Sequence, residues 1–143
     1  MPLQEENYIE VINSYSIEDW QPLLDLITNI EATESFGELI GGERNEKGEI
    51  TFPHYKENAV VGKFHEIVYK IPIIINFEWG SWDEGREIAK DENFNFDTID
   101  IPTKCKLITA IVRNDRFCEG ALISAFESGL ILRIIKSIKR DSS

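Results

Sequence analysis

The sequence predicts a mainly α protein: a single domain over residues 1–143, built as an orthogonal bundle of about six helices with a small β-hairpin near residues 38–52. Three observations carry this expectation. Apolar residues recur at three- and four-residue spacing along most of the chain, the spacing that lines one side of a helix. One stretch, Phe36 to Pro53, breaks that period. It holds the turn formers Gly41-Gly42 and Asn45-Glu46-Lys47-Gly48, then the alternating run Glu49-Ile50-Thr51-Phe52, which reads either as a hairpin or as an exposed loop. Finally, 42% hydrophobic and 29% charged residues over 143 positions suit one ordinary globular core, with no repeat or low-complexity tract.

The elements follow in order. A first helix is expected over Gln4 to Ser14, with Tyr8, Val11 and Ile12 inward. A second runs from Trp20 to Ala32. Ser16 and Asp19 resemble a capping box, and Tyr15 is placed to staple onto Trp20. Pro22 favours Asp19 as the cap instead, because its ring is then in the first turn, where no amide hydrogen is missed. A third helix, Lys56 to Lys70, places Val60, Val61, Phe64, Ile67 and Val68 on one face. Ile71 to Phe77, β-branched and interrupted by Pro72, reads as extended backbone. A fourth helix is expected from Glu78 to Lys90, then a loop from Asp91 to Ile101 ending at Pro102.

Three helices close the chain. In Thr103–Asn114 apolar residues cover most of the circumference, which marks a central buried helix, with Lys106, Thr109 and Arg113 as its polar strip. Glu119–Ser128 points Ala121, Leu122, Ala125 and Phe126 inward and stops at Gly129. Leu130–Arg140 sets Ile131, Ile134, Ile135 and Ile138 against Arg133, Lys136, Lys139 and Arg140 on its other side.

Composition narrows function by exclusion. No apolar run approaches the ~20 residues needed to cross a bilayer, so no membrane is implied. The opening Met1-Pro2-Leu3-Gln4-Glu5-Glu6 lacks the basic and apolar regions of a signal peptide. Cys105 and Cys118, thirteen residues apart and outside any Cys-x-x-Cys pattern, are expected to be reduced, semi-buried thiols, and a cytoplasmic protein is the simplest reading. The net charge is −11. Residues 1–50 carry twelve acids and two bases, and residues 101–143 carry four acids and eight bases. That balance argues against generic nucleic-acid binding. It leaves a basic side on the last helix able to face an acidic partner or a second copy of the chain.

Two constellations could carry chemistry. Arg113-Asn114-Asp115-Arg116-Phe117-Cys118-Glu119-Gly120 concentrates two guanidinium groups, two carboxylates and a thiol between two helices. Arg113 and Arg116 could hold an anion by bidentate hydrogen bonds, with Asp115 or Glu119 as acid or base. Equally, Asp115 could cap the next helix while Arg116 and Glu119 bridge to neighbours and Gly120 admits a close helix contact. The second is Trp79-Gly80-Ser81-Trp82-Asp83-Glu84-Gly85-Arg86. On one helix Trp79, Trp82, Asp83 and Arg86 share a face, an aromatic-walled cleft or simply core. His54 and His65 lack metal-ligand spacing, and no phosphate loop, dinucleotide fingerprint or nucleophile elbow occurs. No catalytic residue, metal or cofactor is therefore assigned.

The carboxyl-terminal elements resemble a family of uncharacterised bacterial and phage-associated domains of unknown function. The resemblance rests on Phe77-Glu78-Trp79-x-x-Trp82, on Cys105-Lys106-Leu107-Ile108-Thr109-Ala110-Ile111-Val112-Arg113, on Asp115-Arg116-Phe117-Cys118-Glu119-Gly120-x-Leu122, and on Ala125-Phe126-Glu127-Ser128-Gly129. Pro53-His54-Tyr55 looks like that family's entry to its first shared helix, and Phe77-Glu78-Trp79 departs from the family's usual Phe-Asp-Trp. Coverage runs from about residue 50 onward. The resemblance implies a fold and no reaction. The reading that results is a small acidic, non-catalytic protein-interaction or regulatory module. The alternative is an anion-binding, small-ligand-binding or hydrolytic domain whose site is drawn from Trp79, Trp82, Asp83, Arg86, Arg113, Asp115, Arg116 and Glu119.

Overall fold

The computed structural model describes residues 2–50 and 52–142. Its first half holds β1 (Leu3–Gln4), α1 (Tyr8–Asn13), α2 (Ile17–Leu24), α3 (Leu26–Glu31), β2 (Gly37–Ile40), β3 (His54–Glu57) and α4 (Ala59–Lys70). Its second half holds β4 (Ile75–Asn76), α5 (Asp83–Lys90), α6 (Ile101–Asn114), α7 (Ala121–Glu127) and α8 (Leu130–Ser142), with 3-10 turns at Trp79–Ser81 and Phe96–Thr98. The fold is thus mainly helical with a small antiparallel hairpin, as the periodicity implies.

The expected first helix is shortened at its start. Leu3–Gln4 runs parallel to Ile75–Asn76, the Leu3 amide donating to the Ile74 carbonyl at 2.8 Å, so a partner more than seventy residues away takes the segment from helix. The Asp19 cap is also overturned. Ser16 caps α2 in a reciprocal box, its hydroxyl accepting from the Asp19 amide while the Asp19 carboxylate accepts from the Ser16 amide. The Tyr15 ring then meets Trp20 edge-on at 5.6 Å, the staple that belongs to a Ser16 cap. Pro22 is tolerated inside the helix on its exposed side, and the expected single helix divides at Asp25 into α2 and α3.

The hairpin forms with its second strand displaced. β2 pairs antiparallel with β3 in the register Gly37↔Glu57 to Ile40↔His54, not with Glu49–Phe52; of that run only Ile50 makes a bridge, to Arg44, and Thr51 lies outside the described residues. Lys56 is accordingly strand, and α4 starts after Asn58, whose side chain accepts from the Val60 amide. Val60, Val61, Phe64, Ile67 and Val68 are all buried, as their spacing requires.

α6 is the central helix, packed against α1, α5, α7 and α8. It starts two residues earlier than expected, with Asp100 accepting from the Thr103 amide at 2.9 Å and Pro102 in its first turn. Its polar residues do not all sit where a strip would put them. Thr109 is fully buried, donating to the Cys105 carbonyl at 2.8 Å and accepting from the Ile75 amide at 3.1 Å, which ties β4 to α6. Lys104 is 0% exposed and ion-paired with Asp141 of α8.

Gly129 ends α7 in the left-handed conformation, and α8 buries Ile131, Ile134, Ile135 and Ile138. The basic side of α8 is largely engaged within the molecule. Lys136 pairs with Glu31 at 3.2 Å, Arg133 donates to the Glu92 carbonyl at 3.0 Å, and Arg140 pairs with Asp97 at 3.0 Å. Asp97 also accepts from the buried Ser137 hydroxyl at 2.7 Å. That bond and the Arg140 guanidinium hold its carboxyl below the usual 3.8. A lowered folded value means that the stabilisation is present above 3.8 and disappears as pH falls through the lower folded value. Asp97→Asn is therefore expected to flatten the acid limb: the urea midpoint of the variant should drop less between pH 6 and pH 3 than that of the native chain.

The two thiols are not equivalent, which corrects the expectation that both are semi-buried. Cys105 is 0% exposed, and burial pushes its thiol far up, whereas Cys118 is exposed on the α6–α7 turn. Ellman's reagent is expected to titrate one thiol in the folded protein and two in 6 M guanidinium chloride; Cys118→Ser should reduce the folded count to zero.

No helix among the described residues is long and apolar enough to cross a membrane.

Candidate functional site

The Trp79–Arg86 segment is not one helix. Trp79–Ser81 forms a 3-10 turn, Trp82 takes a non-helical conformation (φ −86°, ψ 84°), and α5 begins only at Asp83. The four residues expected on one face are instead parted by the break. Tertiary contacts of Trp82 outweigh local helix preference here. Its ring meets Phe77 edge-on at 5.7 Å, carries the Lys106 ammonium 4.6 Å from its centroid, and lies flat over Gly85. A Cβ on Gly85 would come within 2.3 Å of that ring, so only glycine admits this approach.

The break opens a cleft of about 390 Å³ between α5 and α6. Trp79, Trp82 and Arg86 line it on one side, and Leu107, Ile111 and Asn114 on the other; Gly85, Ala89 and Ala110 are small enough to leave the space between them. Arg86 is already held, donating to the Gly80 carbonyl and lying 3.5 Å from Asp83, both groups largely exposed. Asp83 points to Arg86 and does not line the cleft. Outside the cleft, the Phe117 ring lies 5.9 Å from that of Trp79 while 79% exposed.

The Arg113–Gly120 cluster resolves into separate duties. Asp115 accepts from the Leu122 amide at 3.0 Å, capping α7 from a turn away. Glu119 accepts from the Tyr55 amide at 2.9 Å and so holds the outer edge of β3. Gly120 sits at φ 87°, and a Cβ there would lie 2.7 Å from the Tyr55 ring; the close neighbour is a strand residue, not the helix the sequence suggested. Arg113 is half-buried and Arg116 exposed, and neither side chain has a hydrogen bond or ion pair among the described residues. None of Arg113, Asp115, Arg116 and Glu119 lines the cleft, although Asn114, inside the same segment, does.

Of the expected site residues the cleft therefore gathers Trp79, Trp82 and Arg86. It adds Leu107, Ile111 and Asn114. Leu107, Ala110 and Ile111 could not be read as a wall, because apolar residues at helical spacing on a central helix look the same whether they meet core or an opening. Among the described residues no group of three or more His, Cys, Asp or Glu side chains converges to hold a metal. His54 is exposed on β3, and His65 lies against Tyr69 at 5.1 Å. A second, wider groove of about 800 Å³ separates α2 and α3 from α4, with Glu18 and Asp25 facing Lys63 and Lys70.

The hairpin is seated firmly at its base. Besides the Glu119 contact, the Phe36 amide donates to Glu127 at 3.0 Å and Gly37 abuts Ile123, so both ends of α7 grip the hairpin. Beyond that seat its apolar side chains are open: Leu39 is 60% exposed, Ile50 59% and Phe52 89%.

No curated protein and no solved structure matches the chain. A model of a family described as a family of unknown function, DUF6508, matches residues 15–142, so the shared region reaches well ahead of residue 50, into the acidic amino-terminal third. By that match the chain belongs to the DUF6508 family of unknown function.

Proposed function

We propose that the protein is a non-catalytic protein-interaction module whose contact surface is the outer part of the β2–β3 hairpin. The observation that carries this reading is Phe52. It is 89% exposed, and Leu39 and Ile50 of the same hairpin are more than half exposed, so three large apolar side chains lie open on one arm, the composition of a surface that another protein covers. The bonds that hold the hairpin base to Glu119 and Glu127 support the same reading, because an arm already held at its base loses less freedom on docking. The basic side of α8, the other candidate surface, supports it less, since Arg133, Lys136 and Arg140 already have partners within the fold. Residence in the cytoplasm belongs to this proposal, and two unpaired thiols suit a reducing compartment.

The test is a paired capture experiment with native protein and Phe52→Ser, read alongside thermal melts. The expected outcome is a partner retained by the native chain and lost with Phe52→Ser at unchanged melting temperature. Identical partner sets for the two would overturn the reading, as would a melting temperature lowered by the substitution, which would make Phe52 structural.

A further inference from the structure

We propose that the α5–α6 cleft is a small-molecule site for a neutral, planar aromatic ring bearing a carboxamide-type edge. This goes beyond the hairpin surface and does not depend on it. The volume of about 390 Å³ lies within the range of small-ligand pockets, and its walls suit a flat guest: two indoles, Trp79 and Trp82, face a floor made shallow by Gly85, Ala89 and Ala110. Aromatic rings gain from offset or edge contact with such walls beyond the burial of area.

The charges favour a neutral guest over an anion. Arg86, the cation that lines the cleft, already donates to the Gly80 carbonyl and lies beside Asp83. Lys106 is directed onto the faces of Phe77 and Trp82, at 4.8 and 4.6 Å, behind the aromatic wall. Arg113 and Arg116 do not line the space. What remains is Asn114. Its backbone carbonyl closes the following turn, accepting from the Phe117 and Cys118 amides at 3.0 and 2.9 Å, while its half-buried side-chain amide has no hydrogen bond among the described residues. That amide offers one acceptor beside two donors, the complement of the donor–acceptor edge of an aryl carboxamide. Ring and edge together define the class: the indoles take the ring and Asn114 takes the amide.

Three probes of nearly equal size separate the contributions. Benzamide has ring and amide, benzoate has the ring with a charge, and cyclohexanecarboxamide has the amide without the aromatic ring. Tryptophan fluorescence reports the cleft through Trp79 and Trp82 against the constant background of buried Trp20, and saturation-transfer NMR on the probe protons gives an independent readout. Benzamide is expected to bind saturably and about tenfold more tightly than either control, and Asn114→Ala to weaken it by about tenfold, the size of one or two lost hydrogen bonds. Gly85→Ala, which drives the Trp82 ring from its place, is expected to abolish binding. Equal binding of all three probes, a preference for benzoate, an Asn114→Ala variant that binds as well as the native chain, or no saturation by benzamide in either readout would each overturn the proposal.

Discussion

Asp141→Ala is expected to destabilise the protein by about 3 kcal/mol, whereas Lys104→Met leaves stability unchanged or raises it. The asymmetry follows from burial. The Lys104 side chain is 0% exposed and its ion-pair partner Asp141 is 31% exposed. Removing the carboxylate strands an ammonium in the core between α6 and α8, and the cost of breaking such a pair from one side is roughly 3–5 kcal/mol; the partial access of water at Asp141 places this case at the lower end. Methionine keeps the length of the lysine stem and removes the charge, so the desolvation penalty disappears with the attraction. In a Lys104→Met background the same Asp141→Ala change should cost only a few tenths of a kcal/mol, as for an ordinary surface substitution. Urea denaturation of the four combinations measures this directly. Equal losses from Asp141→Ala in both backgrounds would show that Asp141 acts through something other than Lys104.

Phe126→Ala is expected to cost at least as much, about 4 kcal/mol, and to loosen the hairpin seat along with the core. Phe126 is buried on α7 at the middle of a three-ring cluster, 5.2 Å from Phe36 and 5.3 Å edge-on from Phe64. Deletion of the ring leaves a cavity where α4, α7 and the residue leading into β2 meet, and both aromatic pairs are lost, each worth ~0.5–1.5 kcal/mol beyond area. Phe126→Leu should retain more than half of that stability. Amide exchange across Gly37–Ile40 would accelerate in Phe126→Ala ahead of exchange in α6, and uniform acceleration of both would refute the link between the cluster and the hairpin.

Helix faces were legible because burial on an amphipathic helix is written locally: Val60 to Val68 on α4 and Ile131 to Ile138 on α8 are buried as their spacing demands. Duties met at a distance were not. Nothing near Lys104 in sequence announces Asp141, nothing near Thr109 announces the Ile75 amide, and Leu3–Gln4 has no strand signal apart from the edge it pairs with. At Pro22 a correct local rule lost to a better one, since the reciprocal Ser16–Asp19 box satisfies two amides while the proline lies on the exposed side of the helix. The site was half legible for a related reason. The aromatic residues were visible as types, but the helix break that aims Trp79 and Trp82 depends on contacts of Trp82 with Phe77, Gly85 and Lys106. The carboxylates Asp115 and Glu119, conspicuous in sequence, turn out to serve backbone amides.

The turn from Asp115 to Gly120 touches both the aromatic residues of the cleft and the hairpin. Phe117 leans on Trp79 at the cleft, and two residues later Glu119 holds Tyr55 of the hairpin. Six consecutive residues thus contact both Trp79 of the cleft and Tyr55 of the hairpin. Thermodynamic linkage then sets a strict symmetry: whatever factor an occupant of the cleft imposes on docking at the hairpin, docking must impose on the occupant in return.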